Sequence, residues 1–96
     1  MKLLSVTTSD KPGKKLKATF ESDTGRTKTT HFGAAGMDDY TKTHDKDQRE
    51  RYRTRHKKDL ETGDPSRAGF LSYYILWGEH TSVRANVTAF KKKFGL

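Results

Sequence analysis

Six side chains, His31, Asp38, Asp39, His44, Asp47 and His56, offer the nitrogen and oxygen donors that a divalent cation takes, and Arg51 or Arg55 can neutralise phosphoryl charge beside them. That is the ingredient set of a metal-dependent nuclease. The spacing argues against it, because the chain holds no His-Glu-x-x-His, no histidine pair one helical turn apart and no Gly-Lys-Ser/Thr phosphate loop, while Gly33-x-x-Gly36 alone carries almost no information. Ordinary duties account for the same residues: an Asp at a helix start, Asp38 or Asp39 paired with arginine, His31 and His56 as half-buried hydrogen-bonding groups. We therefore expect no catalytic residue, no bound metal and no cofactor. The chain has no cysteine, which removes disulfides, thiolate zinc sites and cysteine nucleophiles.

Tyr52-Arg53-Thr54-Arg55-His56 has aromatic and guanidinium planes on which bases can stack, with cations for phosphate. A helix with so few other apolar residues needs Tyr52 inside, however, with His56 hydrogen-bonded one turn along. Net charge is +8 and the pI near 9.8, which favours an acidic partner. Its distribution is uneven: residues 1–36 carry seven basic and three acidic groups, 37–66 eight of each, and 67–96 five and one. The conspicuous arginine run thus lies in a neutral segment, where neighbouring acids can hold it. The uncompensated charge points to Lys11, Lys14, Lys15, Lys17, Arg26 and Lys28 together with Lys91, Lys92 and Lys93 as a phosphate-binding footprint, if the fold joins those regions. Such contacts give affinity without sequence discrimination and weaken with salt.

Something must position these groups. Residues 2–8 and 14–20 alternate like strands, with Leu4 and Val6 facing inward in the first and Leu16, Ala18 and Phe20 in the second. Pro12-Gly13 closes a hairpin between them, and the turn Ser22–Gly25 leads to a third strand over 26–32 that ends at Gly33. Gly33–Tyr40 has no period and reads as a structured loop. Asp45 with Gln48 forms a capping box opening a helix to about Asp59, whose inward stripe is Gln48, Tyr52 and His56. Asp64-Pro65 starts a second helix over about 66–77, apolar on every side, with a buried strand as the competing reading for Phe70–Trp77. Ser82 caps a third helix with Val83, Val87, Phe90 and Phe94 in one stripe, ended by Gly95 and carrying three lysines in its last turn. Three strands followed by three helices imply an α+β fold, a three-stranded antiparallel meander with the helices packed on one face.

Ninety-six residues suit a single domain, and 30% hydrophobic against 33% charged residues leave a small core. No apolar run approaches membrane-spanning or signal-peptide length, so we expect a protein of the cell interior, not secreted and not inserted in a membrane.

His31-Phe32-Gly33, Asp39-Tyr40-Thr41, His44-Asp45, Arg51-Tyr52, Arg55-His56, Asp64-Pro65, Ala68-Gly69-Phe70, Ser72 and Leu76-Trp77 together resemble a family of small basic proteins found mainly in large double-stranded DNA viruses of algae and protists. The resemblance covers about residues 28–94. The chain departs from it at Thr62-Gly63 and at Leu71, where tryptophans are common. No reaction comes with the resemblance; what it implies is a setting in the virion, or in the nucleus or cytoplasm of a host. The expectation is a non-enzymatic protein binding nucleic acid, double-stranded DNA above all, and associated with virion or genome. A minor structural protein docking on acidic capsid partners is the alternative, with the nuclease third.

Overall fold

The computed structural model describes all residues, Met1–Leu96. Strands β1 (Lys2–Thr8), β2 (Lys14–Glu21) and β3 (Thr27–Ala34) form one antiparallel sheet in the order β1-β2-β3, and helices follow, so the α+β meander is as the sequence implies. Both turns close as their residue types require: Lys14 N–H donates to the Lys11 carbonyl at 3.2 Å, and Gly25 N–H to that of Ser22 at 3.0 Å.

The inward residues of β1 differ from the expected set. A bulge shifts the pairing between Leu3, opposite Phe20, and Ser5, opposite Thr19, so Leu4 is extra and points outward, half exposed. Leu3 takes the core position instead, and Val6 keeps its place beside it. An added residue reverses the alternation on one side of it, which a strict period of two misses. The third strand also runs past Gly33 to Ala34. Gly33 has a φ of +78°, and a Cβ there would lie 2.6 Å from Leu76 Cδ1, so the bare backbone is what lets strand and helix meet.

Helix α1 is the short turn Tyr40–Thr43, capped by the Asp39 carboxylate, and α2 is Lys46–His56, continued by a 3₁₀ stretch over Lys57–Thr62. Asp45 caps α2, accepting from the amides of Asp47 and Gln48 at 3.0 and 3.1 Å. The reciprocal half of the expected box is replaced: Thr43 hydroxyl donates to the Gln48 side chain and accepts from the Asp45 amide.

Phe70–Trp77 is helical. Helix α3 (Ala68–Leu71) widens into a π turn over Ser72–Leu76, closed by Trp77 N–H on the Ser72 carbonyl at 3.1 Å. It starts two residues later than Asp64-Pro65 suggests, because Asp64 is spent locally, accepting from the Ser66 amide at 2.9 Å and hydroxyl at 2.6 Å. Those bonds hold the Asp64 carboxyl below its usual range. The Ser66 carbonyl accepts from Thr30 at 2.8 Å, tying this corner to β3.

Helix α4 (Val83–Phe94) starts at Ser82 and ends at Gly95 as expected. The core joins Leu3, Ala18, Phe20 and Phe32 of the sheet to Tyr40, Phe70, Leu71, Ile75, Leu76, Trp77 and Phe90. Tyr74 is only half-buried, among the rings of Phe70, Phe90 and Phe94. No helix is long and apolar enough to cross a membrane.

Candidate nucleic-acid interface

Successive hairpin turns of a meander lie at opposite ends of its sheet. Lys11 and Lys14 therefore sit at one end and Arg26 and Lys28 at the other, separated by roughly the length of β2, about 23 Å at strand rise. Lys14 and Lys15 line one cleft, Lys28 another, and Lys92 and Lys93 a third. The nine residues are thus spread over several faces of a molecule 41 Å long.

Two of the nine are engaged by carboxylates. Lys15 Nζ meets buried Asp39 at 2.5 Å and also reaches the Met37 carbonyl, which staples the 33–39 loop to β2. Lys17 faces exposed Asp10 at 3.6 Å. Lys28 donates to the Ser66 hydroxyl at 3.1 Å. The remaining lysines and Arg26 have no acidic partner, and Lys93 lies 5.8 Å from the Tyr74 ring centre.

The arginines of α2 divide by face. Arg53 donates to the carbonyls of Trp77 at 2.8 Å and Tyr73 at 3.4 Å and lies over the Tyr73 ring at 4.1 Å. Arg49 Nε donates to the Gly78 carbonyl at 2.7 Å, its fork reaching Glu50 at 2.5 Å. Two cations thus close the carbonyl end of the π turn, where unpaired acceptors and the helix dipole both want them. The sequence suggested acids as the partners of these arginines; backbone oxygens take most of the work. Arg55 projects into the cleft that Lys14 and Lys15 line.

That cleft lies between α2, the 33–39 loop and the α3 segment and has a volume of about 680 Å³. Its floor is a ladder of near-parallel rings: Trp77 and Tyr52 stack at 4.3 Å and 8°, Tyr52 and His56 at 4.1 Å and 20°. Burial pushes the Tyr52 hydroxyl up to about 12, the Asp59 charge adding to it and Ser72 and Arg55 opposing. His56 Nδ1 bonds Asp59 Oδ2 at 3.1 Å, which fixes the imidazole plane. Gly69 makes room for that carboxylate, since a Cβ there would lie 3.1 Å from it. Tyr52 packed inward on the core helix and His56 hydrogen-bonded one turn along are as the sequence implied; the stack on Trp77 and the three-ring ladder were not legible, because Trp77 lies 25 positions away.

The metal-donor set does not converge, and no three His, Cys, Asp or Glu side chains gather closely enough to hold an ion. His31 bonds the Ser9 hydroxyl at 2.7 Å on the hairpin, and His44 is the left-handed residue that ends α1, at φ +56°. Asp39 is committed to the α1 cap and Lys15, Asp38 lies 4.0 Å from Lys42, and Asp47 is exposed in the first turn of α2.

Residues 4–56, just over half of the chain, match the model of a family described as of unknown function (DUF5754). The matched stretch spans the meander, α1 and α2 and stops before Asp64-Pro65. No curated protein and no solved structure matches.

Proposed function

The chain belongs to the DUF5754 family, which brings no reaction with it, and we propose from its own surface that it binds nucleic acid through phosphate contacts without reading sequence. One observation carries this. Of the nine footprint residues, eight lysines and Arg26, all but Lys15 and Lys17 are free of any carboxylate within 4.0 Å, so their charge stays available to a polyanion. Their dispersal favours loose, orientation-tolerant contact over docking in one register, and none is clamped in a geometry that would read a base edge. Lys91, Lys92 and Lys93 form the densest group, with Lys92 and Lys93 exposed on the last turn of α4. The resemblance to small proteins of large DNA viruses makes a viral genome the natural duplex partner and supports a genome- or virion-associated role inside the host cell.

Anisotropy titration of mixed-sequence duplex DNA across a salt series tests this. The logarithmic slope should be negative and no steeper than about −6, the limit for seven neutralised phosphates. Replacing Lys91, Lys92 and Lys93 with glutamine should flatten it by up to about 3. Affinity independent of salt, or absent at low salt, overturns the proposal.

A further inference from the structure

We propose that the cleft beneath α2 holds a nucleoside phosphate, its base stacked on the outer face of His56 as a fourth ring of the Trp77, Tyr52, His56 ladder and its phosphate met by Arg55 and Lys14. The volume, about 680 Å³, lies within the range of small-molecule pockets and leaves room for a mononucleotide. The ladder supplies the platform. Tyr52 has both faces covered, by Trp77 and by His56, so only the terminal imidazole can accept a further ring. The His56 side chain is 41% exposed even though one face lies on Tyr52 and its Nδ1 edge on Asp59, which leaves the opposite face and the Nε2 edge as the open parts. A ring already held in plane pays little entropy to receive a base.

The charges in the wall decide what accompanies that base. Three acids line the cleft: Asp39 is paired with Lys15, exposed Asp38 lies 4.0 Å from Lys42, and Asp59 is hydrogen-bonded to His56, whose ring offsets the carboxylate charge when it is protonated. Lys14 and Arg55 line the same cleft with no carboxylate of their own. Two unspent cations beside an open aromatic face describe a planar, anionic ligand. Met37, 63% exposed at the rim, adds a pliable apolar surface against which a base edge can lie. The ligand chemistry is common to a free nucleotide and to an unpaired nucleotide in a strand; the site goes beyond the phosphate-backbone reading and shares only Lys14 with it.

Calorimetric titration with AMP, adenosine and ribose 5-phosphate separates the parts. AMP should bind, with ribose 5-phosphate weaker by roughly ten-fold for loss of stacking and adenosine weaker for loss of the phosphate. His56→Ala should cost AMP about the same ten-fold, His56→Phe should restore most of it because a flat ring suffices, and Arg55→Gln should weaken AMP while leaving adenosine unchanged. Competition assigns the source: AMP displacing an oligonucleotide with a single-stranded overhang, but not a blunt duplex, places an unpaired strand nucleotide in the site, whereas tight AMP binding with no displacement assigns it to free nucleotide. Equal binding of AMP and ribose 5-phosphate, or AMP affinity unchanged in a His56→Ala protein of unaltered melting temperature, overturns the proposal. Duplex binding with the expected salt slope can persist in that event, so the two readings fail separately.

Discussion

Arg53 is one side chain with several structural partners: the carbonyls of Tyr73 and Trp77, the face of Tyr73 and, farther off, that of Tyr74. Removing it strands those carbonyls, so Arg53→Ala should cost roughly 2–3 kcal/mol by chemical denaturation. Arg53→Lys should recover only part, since an ammonium cannot fork between two acceptors while lying flat on a ring. Exposed Arg51 on the same helix should cost under about 0.5 kcal/mol on the same change. Tyr52 gives a prediction in pH. Its hydroxyl titrates higher in the folded protein than in the unfolded chain, so the neutral form's contribution is fully present below pH 10 and is lost as pH rises from 10 to about 12. Melting temperature should fall across that window and fall less steeply in Tyr52→Phe; parallel curves would contradict it. Tyr74, also raised chiefly by burial, supplies part of the residual slope.

At the scale of elements, the join between the π turn and α4 rests on Asn86, which is 2% exposed. Its amide donates to the carbonyls of Ile75 and His80, both at 2.8 Å, and its oxygen accepts from the His80 amide at 2.9 Å. Asn86→Ala should destabilise by about 3 kcal/mol, and Asn86→Asp by no less, because an acceptor-only group then faces two carbonyls. The sequence pattern places α4 correctly from Ser82, the apolar stripe and Gly95, yet gives no hint of Asn86, whose partners are backbone atoms of another element. Strands and turns were legible for a similar reason of locality: Pro12-Gly13 and Ser22–Gly25 settle their own geometry. The bulge at Leu4 and the late start of α3 were not, since each depends on a pairing or a side-chain turn that the period of hydrophobicity does not encode.

For the whole molecule, the governing fact is that few buried residues must hold it together while its surface charge repels itself. Trp77, buried in the core and stacked under Tyr52, bridges core and cleft. Trp77→Ala should cost roughly 3–5 kcal/mol, a large share of what so small a domain has. A stably folded Trp77→Ala protein that had lost only ligand binding would make the ring a surface platform instead. Charge also explains the limits of reading a site from sequence. Segment sums find the uncompensated lysines but not their separation across the sheet, nor that Lys15 is occupied by Asp39, 24 residues on.

The extra residue in β1 has a consequence for colloidal behaviour. β1 pairs with β2 alone, so its other edge presents unsatisfied amides and carbonyls to any second chain. Edge-to-edge addition needs a flat, regular strand, and the bulge at Leu4 interrupts that template near its start, beside the charge of Lys2. Deleting Leu4 would restore an unbroken ladder while leaving the other inward residues of the sheet in place. Light scattering at high concentration should then show larger assemblies for the deletion protein than for the full chain, the outcome expected if one surplus leucine guards the sheet against polymerising with itself.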